Sequence, residues 1–386
     1  MRRGRLVVLG IAAQVPFAGV AWQALHYLEG FRRLGYDVYY VEDTGAWPYD
    51  PERRTITDDP SYAVRYLGAL MARAGCGDRW AYCPPGRPGG PLGPSAAALT
   101  AVWRGADVLV NLTGATVLRG EHLRVPVRIY LETDPVAPQI EVALGRRFTI
   151  DLLAAHTHHA SYAENLGTAE CGVPVGQFTY LPTRPPVVLE WWRSGAPAGA
   201  RFTTVAAWRQ TGRDVWWNGE RYGWSKDEEF LKVLDLPRRT RQPLELALAC
   251  EDEPTLRLLR SNGWLIRDAI SLTTAPAPYH AYIEESRGEF TVAKDQNVRL
   301  RSGWFSDRSA CYLAAGRPVV TQDTGFGRVL PVGRGLFAFR DGDEAASALE
   351  TVGADYEGHA GAAREVADGY FRAERVLEEL MDRVGA

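Results

Sequence analysis

The stretch EFTVAKDQNVRLRSGWFSDRSACYLAAGRPVVTQDTG, residues 289–325, decides how the rest of the chain is read. Its opening EFTVAK is predicted as a strand that ends at Lys294. A loop containing Gly303 follows to Ser306, a residue type whose side chain accepts from the free N–H groups at a helix start. The predicted helix carries Asp307 and Arg308 in its first turn and stops at Gly316. Such a helix N-terminus attracts anions, because its first N–H groups have no partner within the helix. Pro318 then starts a strand that ends in the turn Asp323-Thr324-Gly325.

Strand and helix alternate in the same way to either side. RLVVLG (5–10) is a continuous apolar run, as a strand buried on both faces requires. VAWQALHYLEGFRRLG (20–35) has helical spacing, and YDVYYVED (36–43) is the next strand, completing a βαβ unit with a parallel sheet. ADVLVNL (106–112), VRIYLET (127–133) and the region 156–162 continue the series. After 181–200, whose prolines and Gly/Ala tail suit a crossing between domains, RFTTVAAW (201–208), PLELALAC (243–250) and LFAF (336–339) repeat it. KDEEFLKVLDL (226–236) is a helix, and three helices close the chain from Glu344. The segment PPGRPGGPLGP (84–94) is a loop, since Pro and Gly forbid regular structure there.

Composition narrows the function. The chain has 386 residues, enough for two domains, and a net charge of −3, which does not suggest nucleic-acid binding. Only three of its 44 basic residues are lysines, Lys226, Lys232 and Lys294, a bias typical of GC-rich bacterial genomes that directs attention to each. Five cysteines without CxxC spacing argue against a disulfide framework or a zinc site and fit a cytoplasmic protein. The basic and apolar start is interrupted by Gln14 and Pro16 and runs on into helix and strand, so it reads as structure rather than as a signal peptide. No run of about 18 apolar residues occurs, so no membrane span is expected.

Two nucleotide-binding signatures are absent. The first βα turn, Gly10 to Gly19, lacks Gly-x-Gly-x-x-Gly, and no lysine follows a glycine as in a P-loop. His156, His158 and His159 have no accompanying cysteine or carboxylate cluster, so no metal site is expected there. Asn111-Leu112-Thr113 matches a glycosylation sequon at a strand end and carries little weight.

The stretch 289–325 resembles the donor-binding half of GT-B glycosyltransferases, which carry a strand, a loop, a helix ending in Ala-x-Gly-x-Pro-Val-Val and a glycine-containing turn. Here these are Ala314-Ala315-Gly316-Arg317-Pro318-Val319-Val320 and Thr324-Gly325. The resemblance implies an α/β fold of two Rossmann-like domains facing across a cleft. Residues 1–185 would be the acceptor domain and 186–365 the donor domain, with 366–386 packing back on the first. One departure stands out: Cys311 occupies the position where many such enzymes hold the donor ribose with a glutamate, and Asp307 is the candidate replacement.

The same resemblance implies cations for the donor diphosphate. Arg209 and Lys226 follow the first strand of the second half, and Lys294 ends another. Fixed positive charge there stabilises a leaving group whose negative charge grows in the transition state. Gly303, Ser306, Asp307, Arg308, Thr324 and Gly325 complete the expected donor site. In the first half, Asp134 follows a strand directly and is the candidate general base, with Asp43 and Glu132 as competitors. Phe17, Trp22 and His26 are candidates for an apolar acceptor pocket, though Trp22 and His26 equally suit helix packing.

The expectation is transfer of a sugar from a UDP- or TDP-type donor to an acceptor, with a small-molecule natural product as the candidate acceptor, no metal or resident cofactor and no nucleic-acid partner. A GT-B sugar-nucleotide 2-epimerase and a non-catalytic nucleotide-sugar-binding subunit are the alternatives. Donor base, sugar, acceptor, stereochemistry and oligomeric state are left open.

Overall fold

The structure is a computed structural model that describes residues 3–86, 90–193, 195, 197–250 and 252–386. Part of the expected loop 84–94 and two positions of the expected crossing 181–200 lie outside the described residues.

Two parallel sheets dominate. The first contains β1 (Arg5–Leu9), β2 (Asp37–Glu42), β3 (Trp80–Tyr82), β4 (Ala106–Leu112), β5 (Val127–Glu132), β6 (His158–Ser161) and β7 (Tyr180–Pro182) in the order β3-β2-β1-β4-β5-β6-β7. The second contains β8 (Phe202–Ala207), β9 (Leu244–Ala249), β10 (Leu265–Asp268), β11 (Gly288–Thr291), β12 (Val319–Gln322) and β13 (Leu336–Phe339) in the order β10-β9-β8-β11-β12-β13. These are two Rossmann-like halves. In each, the chain runs outward from a central strand in one direction and then in the other. The two reversals, between β1 and β4 and between β8 and β11, open crevices at the carboxyl ends of the strands.

The buried strands follow from the sequence pattern. Leu6, Val7, Val8 and Leu9 are all fully buried, because helices cover both faces of the sheet. Elsewhere the structure corrects the sequence reading. The strand expected to reach Lys294 ends at Thr291, and the loop after it contains a short helix, Asp295–Arg299. The helix expected over 226–236 is limited to Asp227–Leu231, followed by the 3₁₀ turn Leu236–Arg238 with Pro237 inside it. Ser306 occupies the N-cap of the helix Asp307–Ala314 but makes no capping bond. Instead the Asp307 carboxylate accepts from the Arg308 N–H at 3.0 Å.

One hydrophobic core runs through both halves on the hinge side. The helix Ala18–Arg33 brings Trp22 and His26 against Trp191 and Trp192 of the 3₁₀ turn Leu189–Trp192, and His280 of the second half joins them. Ring centroids for Trp22–Trp192 and Trp192–His280 lie 4.9 and 4.6 Å apart. Of the three closing helices, Gly342–Ala354 stays with the second half. Tyr356–Tyr370 packs along Asp307–Ala314, and Ala373–Val384 packs on Ala18–Arg33 of the first half.

Candidate functional site

A cavity of about 550 Å³ lies where the two crevices face each other. Val15 and Phe17 of the loop after β1, Thr113 after β4 and Thr133 after β5 line it from the first half. Ala206 and Ala207 ending β8, Ala249 ending β9, Ile270, Lys294 and Arg308 line it from the second. Its volume suits a nucleotide-sized ligand, and small side chains on the second half leave room for a planar group.

The first-half wall is held by a buried carboxylate. Glu42, ending β2, accepts from the Ala13 N–H at 2.5 Å, the Gln14 N–H at 3.0 Å and the Tyr40 hydroxyl at 2.7 Å. These bonds fix the loop that carries Phe17, whose ring rests on Tyr49 with centroids 5.6 Å apart. Burial pushes the Glu42 carboxyl up to about 7, against the pull of those donors. Glu132, ending β5, is pushed up to about 7 by the same cause, although Ser161 and Gln139 donate to it.

The second-half wall is cationic. Strands β8 and β11 pair only through Phe202–Gly288 and Thr203–Glu289, then separate. The Arg308 guanidinium occupies the gap, donating to the Val205 carbonyl at 2.6 Å, the Thr291 hydroxyl at 3.0 Å and Glu289 at 2.5 Å. Burial works against its charge, but Glu289, Tyr279 and Tyr312 together outweigh it and raise its pKa. Lys226 is 9% exposed, and among the described residues its ammonium forms no hydrogen bond or ion pair. The Trp304 ring lies beside it, with its centroid 6.0 Å from Nζ. Burial and the neighbouring Arg308 move its pKa well below the usual lysine value.

Asp134 joins the two walls. Its Oδ2 accepts from Lys294 Nζ at 2.6 Å and from the Trp224 indole at 2.7 Å, and Arg213 lies 3.8 Å away. Lys294 also sits 4.1 Å from the centre of the Trp224 ring. Burial lowers the Lys294 pKa, and Asp134 partly restores it. Trp224 follows a hairpin, Val215–Trp217 with Glu220–Tyr222, whose Val215 and Tyr222 share an apolar cluster with Val136, Ala137 and Ile140 of the first half. The hairpin therefore straps the second half to the first at the cavity mouth. It was not legible in the sequence, where WWNGERYGWSK has no strand periodicity; only its density of tryptophan stood out.

The structure thus brings Asp134, Lys226, Lys294, Asp307, Arg308 and Phe17 around one cavity or its immediate wall. The other candidates lie elsewhere. Arg209 is exposed and paired with Asp227 at 2.9 Å. Gly303 and Gly325, at φ of 79° and 91°, press against Asn165 of the first half, whose side-chain amide donates to the Gly325 carbonyl at 3.0 Å. The Thr324 hydroxyl donates to the Trp304 carbonyl, and Ser306 is buried at the helix start, so these four build the wall behind Asp307 and Arg308. Trp22 and His26 are buried in the hinge cluster. Burial lowers the His26 pKa to about 3, with His280 adding to the effect. Cys311 faces His26 at 3.7 Å rather than the cavity, and Asp307 accepts from Gln23 of the first half at 3.0 Å. Of the competitors to Asp134, Asp43 pairs with Arg119 and His122, and Glu132 is enclosed by Ser161 and Gln139. His156 and His159 are bonded to backbone carbonyls of Leu152 and Leu153. Among the described residues no cluster of three or more His, Cys, Asp or Glu is placed to hold a metal, and no helix is long and apolar enough to cross a membrane.

No protein-family model and no curated protein matches the chain. Solved structures do match, along the whole length. AviGT4, a glycosyltransferase involved in avilamycin A biosynthesis, aligns with TM-score 0.54 at 14% identity over 99% of this chain and 97% of its own. Anabaena Alr3699/HepE in complex with UDP and glucose aligns with TM-score 0.59 at 11% identity over 100% of both chains. An alpha-glucosyltransferase in complex with UDP and a 13-mer DNA aligns with TM-score 0.54 at 10% identity, again over 100% of both. The chain has the GT-B fold, the fold of these nucleotide-sugar glycosyltransferases.

Proposed function

We propose that this protein transfers a sugar from a UDP- or TDP-type nucleoside diphosphate sugar to an acceptor hydroxyl, using residues 186–365 to hold the donor and 1–185 to hold the acceptor. The observation that carries the reading is Lys226, buried with no hydrogen bond or ion pair among the described residues, beside Arg308 and near the Lys294–Asp134 pair. A buried cation without a partner is costly, and a diphosphate supplies the missing charge. The fold shared with UDP-binding glycosyltransferases supports the same class of ligand.

In this reading the nucleotide lies against Ala206, Ala207, Ala249 and Ile270. Asp307 takes the ribose in place of the glutamate whose position Cys311 fills. Lys226, Arg308 and Lys294 meet the diphosphate, and Arg209 exchanges Asp227 for phosphate at the mouth. The acceptor oxygen attacks the anomeric carbon and its O–H proton passes to Asp134. The bond from that carbon to the phosphate oxygen breaks, and the electron pair leaves with the nucleoside diphosphate. The cations stabilise the charge as it develops, where each fixed contact contributes about 10²–10³ in rate. Phe17 forms part of the acceptor wall, and no resident cofactor or metal takes part.

The acceptor is a small molecule of the natural-product type, the class that AviGT4's role in avilamycin A biosynthesis supports, and the protein works in a bacterial cytoplasm. The net charge of −3 argues against a DNA acceptor like the one bound to the alpha-glucosyltransferase. Calorimetry with UDP and TDP, followed by nucleoside diphosphate release from their hexose derivatives with and without acceptor, tests the reading. Absence of binding to either diphosphate overturns it.

A further inference from the structure

We infer that the site takes a ribonucleotide donor in preference to a deoxyribonucleotide, UDP type over TDP type, with the Tyr279 hydroxyl bonding the ribose 2′-hydroxyl beside Gln23 and Asp307. The inference rests on the transferase reading and narrows its donor.

Three polar side chains meet on the cavity wall where the two halves touch. Gln23 comes from the helix Ala18–Arg33 of the first half, Tyr279 from Pro276–Glu284 and Asp307 from the start of Asp307–Ala314. All three line the cavity, and all three also line an adjoining pocket of about 10 Å³, room for one water at most, so they stand together. Gln23 Nε2 donates to Asp307 Oδ2 at 3.0 Å. Trp22, the residue before Gln23, donates its indole N–H to the Pro276 carbonyl at 3.0 Å, which ties the start of the Tyr279 helix to the same stretch. The Tyr279 ring is packed in the core that runs through both halves. A side chain fixed in this way bonds a ligand with little further ordering.

Each of the three keeps capacity for another molecule. The Tyr279 hydroxyl makes no hydrogen bond among the described residues, yet it is not sealed from solvent as the unpartnered hydroxyls of Tyr36, Tyr66, Tyr82 and Tyr180 are. A tyrosine whose ring is buried usually gives its O–H a partner. Thr273, the other hydroxyl residue lining the cavity from the second half, is already bonded to the Ala269 carbonyl at 2.8 Å. Gln23 Oε1 is likewise unbonded among the described residues and not sealed. Asp307 Oδ1 accepts from the Arg308 N–H and Oδ2 from Gln23, so each oxygen retains a lone pair for a further donor.

Donor and acceptor matching decides the sugar. The open groups are acceptors on Asp307 and Gln23 and one hydroxyl that both donates and accepts. A deoxyribose brings a single free hydroxyl to this set, on its 3′ carbon, whereas a ribose brings two on adjacent carbons. The 2′-hydroxyl donates to one of the acceptors and accepts from the Tyr279 O–H. A methylene in its place leaves these groups facing an apolar carbon, and a site built for a hydroxyl discriminates against the analogue that lacks it. Ile270 of the proposed base wall sits on the helix before that of Tyr279, and Arg308 follows Asp307 in sequence. The three side chains therefore adjoin both the base and the diphosphate, the place of the ribose that links them.

The test is calorimetric titration of UDP, 2′-deoxy-UDP and TDP into the wild-type protein and Y279F, with melting temperatures recorded. Wild-type protein is expected to bind UDP about ten to a hundred times more tightly than 2′-deoxy-UDP, the scale of a hydrogen bond to a charged group. Y279F should weaken UDP about tenfold, leave 2′-deoxy-UDP unchanged and so narrow the ratio. Q23A serves as the second variant if Y279F folds poorly, and it should narrow the same ratio because it removes the partner that holds Asp307. Equal affinity for UDP and 2′-deoxy-UDP in the wild type, or tighter binding of TDP than of UDP, overturns the inference while leaving the transferase reading intact. A ratio unchanged in Y279F, or in Q23A where that variant replaces it, overturns it as well. A wild-type protein that binds neither UDP nor TDP overturns the transferase reading and this inference with it.

Discussion

Lys294 of the second half grips Asp134 of the first half, Nζ to Oδ2 at 2.6 Å, so the candidate base is bound to a cation from the opposite wall. While that contact holds, Oδ2 is engaged by Lys294, and a group that drew Lys294 elsewhere would free it. A diphosphate beside Lys294 offers that alternative.

Replacing Asp134 by asparagine keeps the shape and removes the basicity. Transfer should fall by about 10²–10⁴ while nucleoside diphosphate affinity is retained. Steady-state kinetics alongside calorimetry checks this. Transfer near the wild-type rate would assign Asp134 to domain closure alone.

Lys226→Ala should lower kcat/KM by about 10²–10³, with the melting temperature little changed, because the ammonium has no described partner to lose. Burial and Arg308 hold its pKa well below the ordinary value. An arriving diphosphate favours the charged form, so UDP or TDP binding should draw a proton from solution. Titration in buffers of different ionisation enthalpy measures that uptake, and Lys226→Met should abolish it. Equal uptake in the mutant would remove Lys226 from the site.

How much of this was legible in sequence depended on what determines each feature. β1 was readable because a strand covered on both faces must be apolar throughout, and β4 and β13 because apolar residues dominate each. The short β3, the half-exposed β10 with its Leu-Ile-Arg-Asp, and the Val215–Tyr222 hairpin were not, since pairing partners rather than local pattern make them strands. Asp134 and Lys294 stood out at strand ends, and the scarcity of lysine pointed to Lys226. Their arrangement did not show, because Trp224 and Asp134 are 90 residues apart and the contact exists only once the halves close. Arg308 stood in the expected donor site, but the gap between β8 and β11 that encloses it has no signature in sequence.

Glu42 and Glu132 predict a pH dependence of stability. Burial raises each from 4.5 to about 7 in the fold. A raised carboxyl stabilises the fold fully below its unfolded pKa, and that contribution is lost as pH rises through about 7. Wild-type protein should therefore lose melting temperature relative to Glu42→Gln between about pH 4.5 and 7. Parallel melting curves across that range would refute the assignment.

Trp192→Ala should cost about 3–5 kcal/mol, the range for truncating a buried tryptophan, because the ring is 1% exposed among Trp22, His26 and His280. Urea denaturation measures it. A loss under about 1 kcal/mol would show that the hinge cluster collapses around the gap.

The last helix sets an order of events during synthesis. Ala373–Val384 supplies Leu377, Leu380, Met381 and Val384 to the core that contains Leu25, Leu28 and Phe31, and Gly30 leaves just enough room for Leu377. Val187 is bonded on both sides to this region, its N–H to the Phe371 carbonyl and its carbonyl to the Ala373 N–H. The first half emerges from the ribosome long before residue 373, so its apolar groove stays uncovered while the entire second half is being made. The first half is thus completed only after the second has been made, and until then, lacking Ala373–Val384, it is the species most exposed to aggregation and to chaperones.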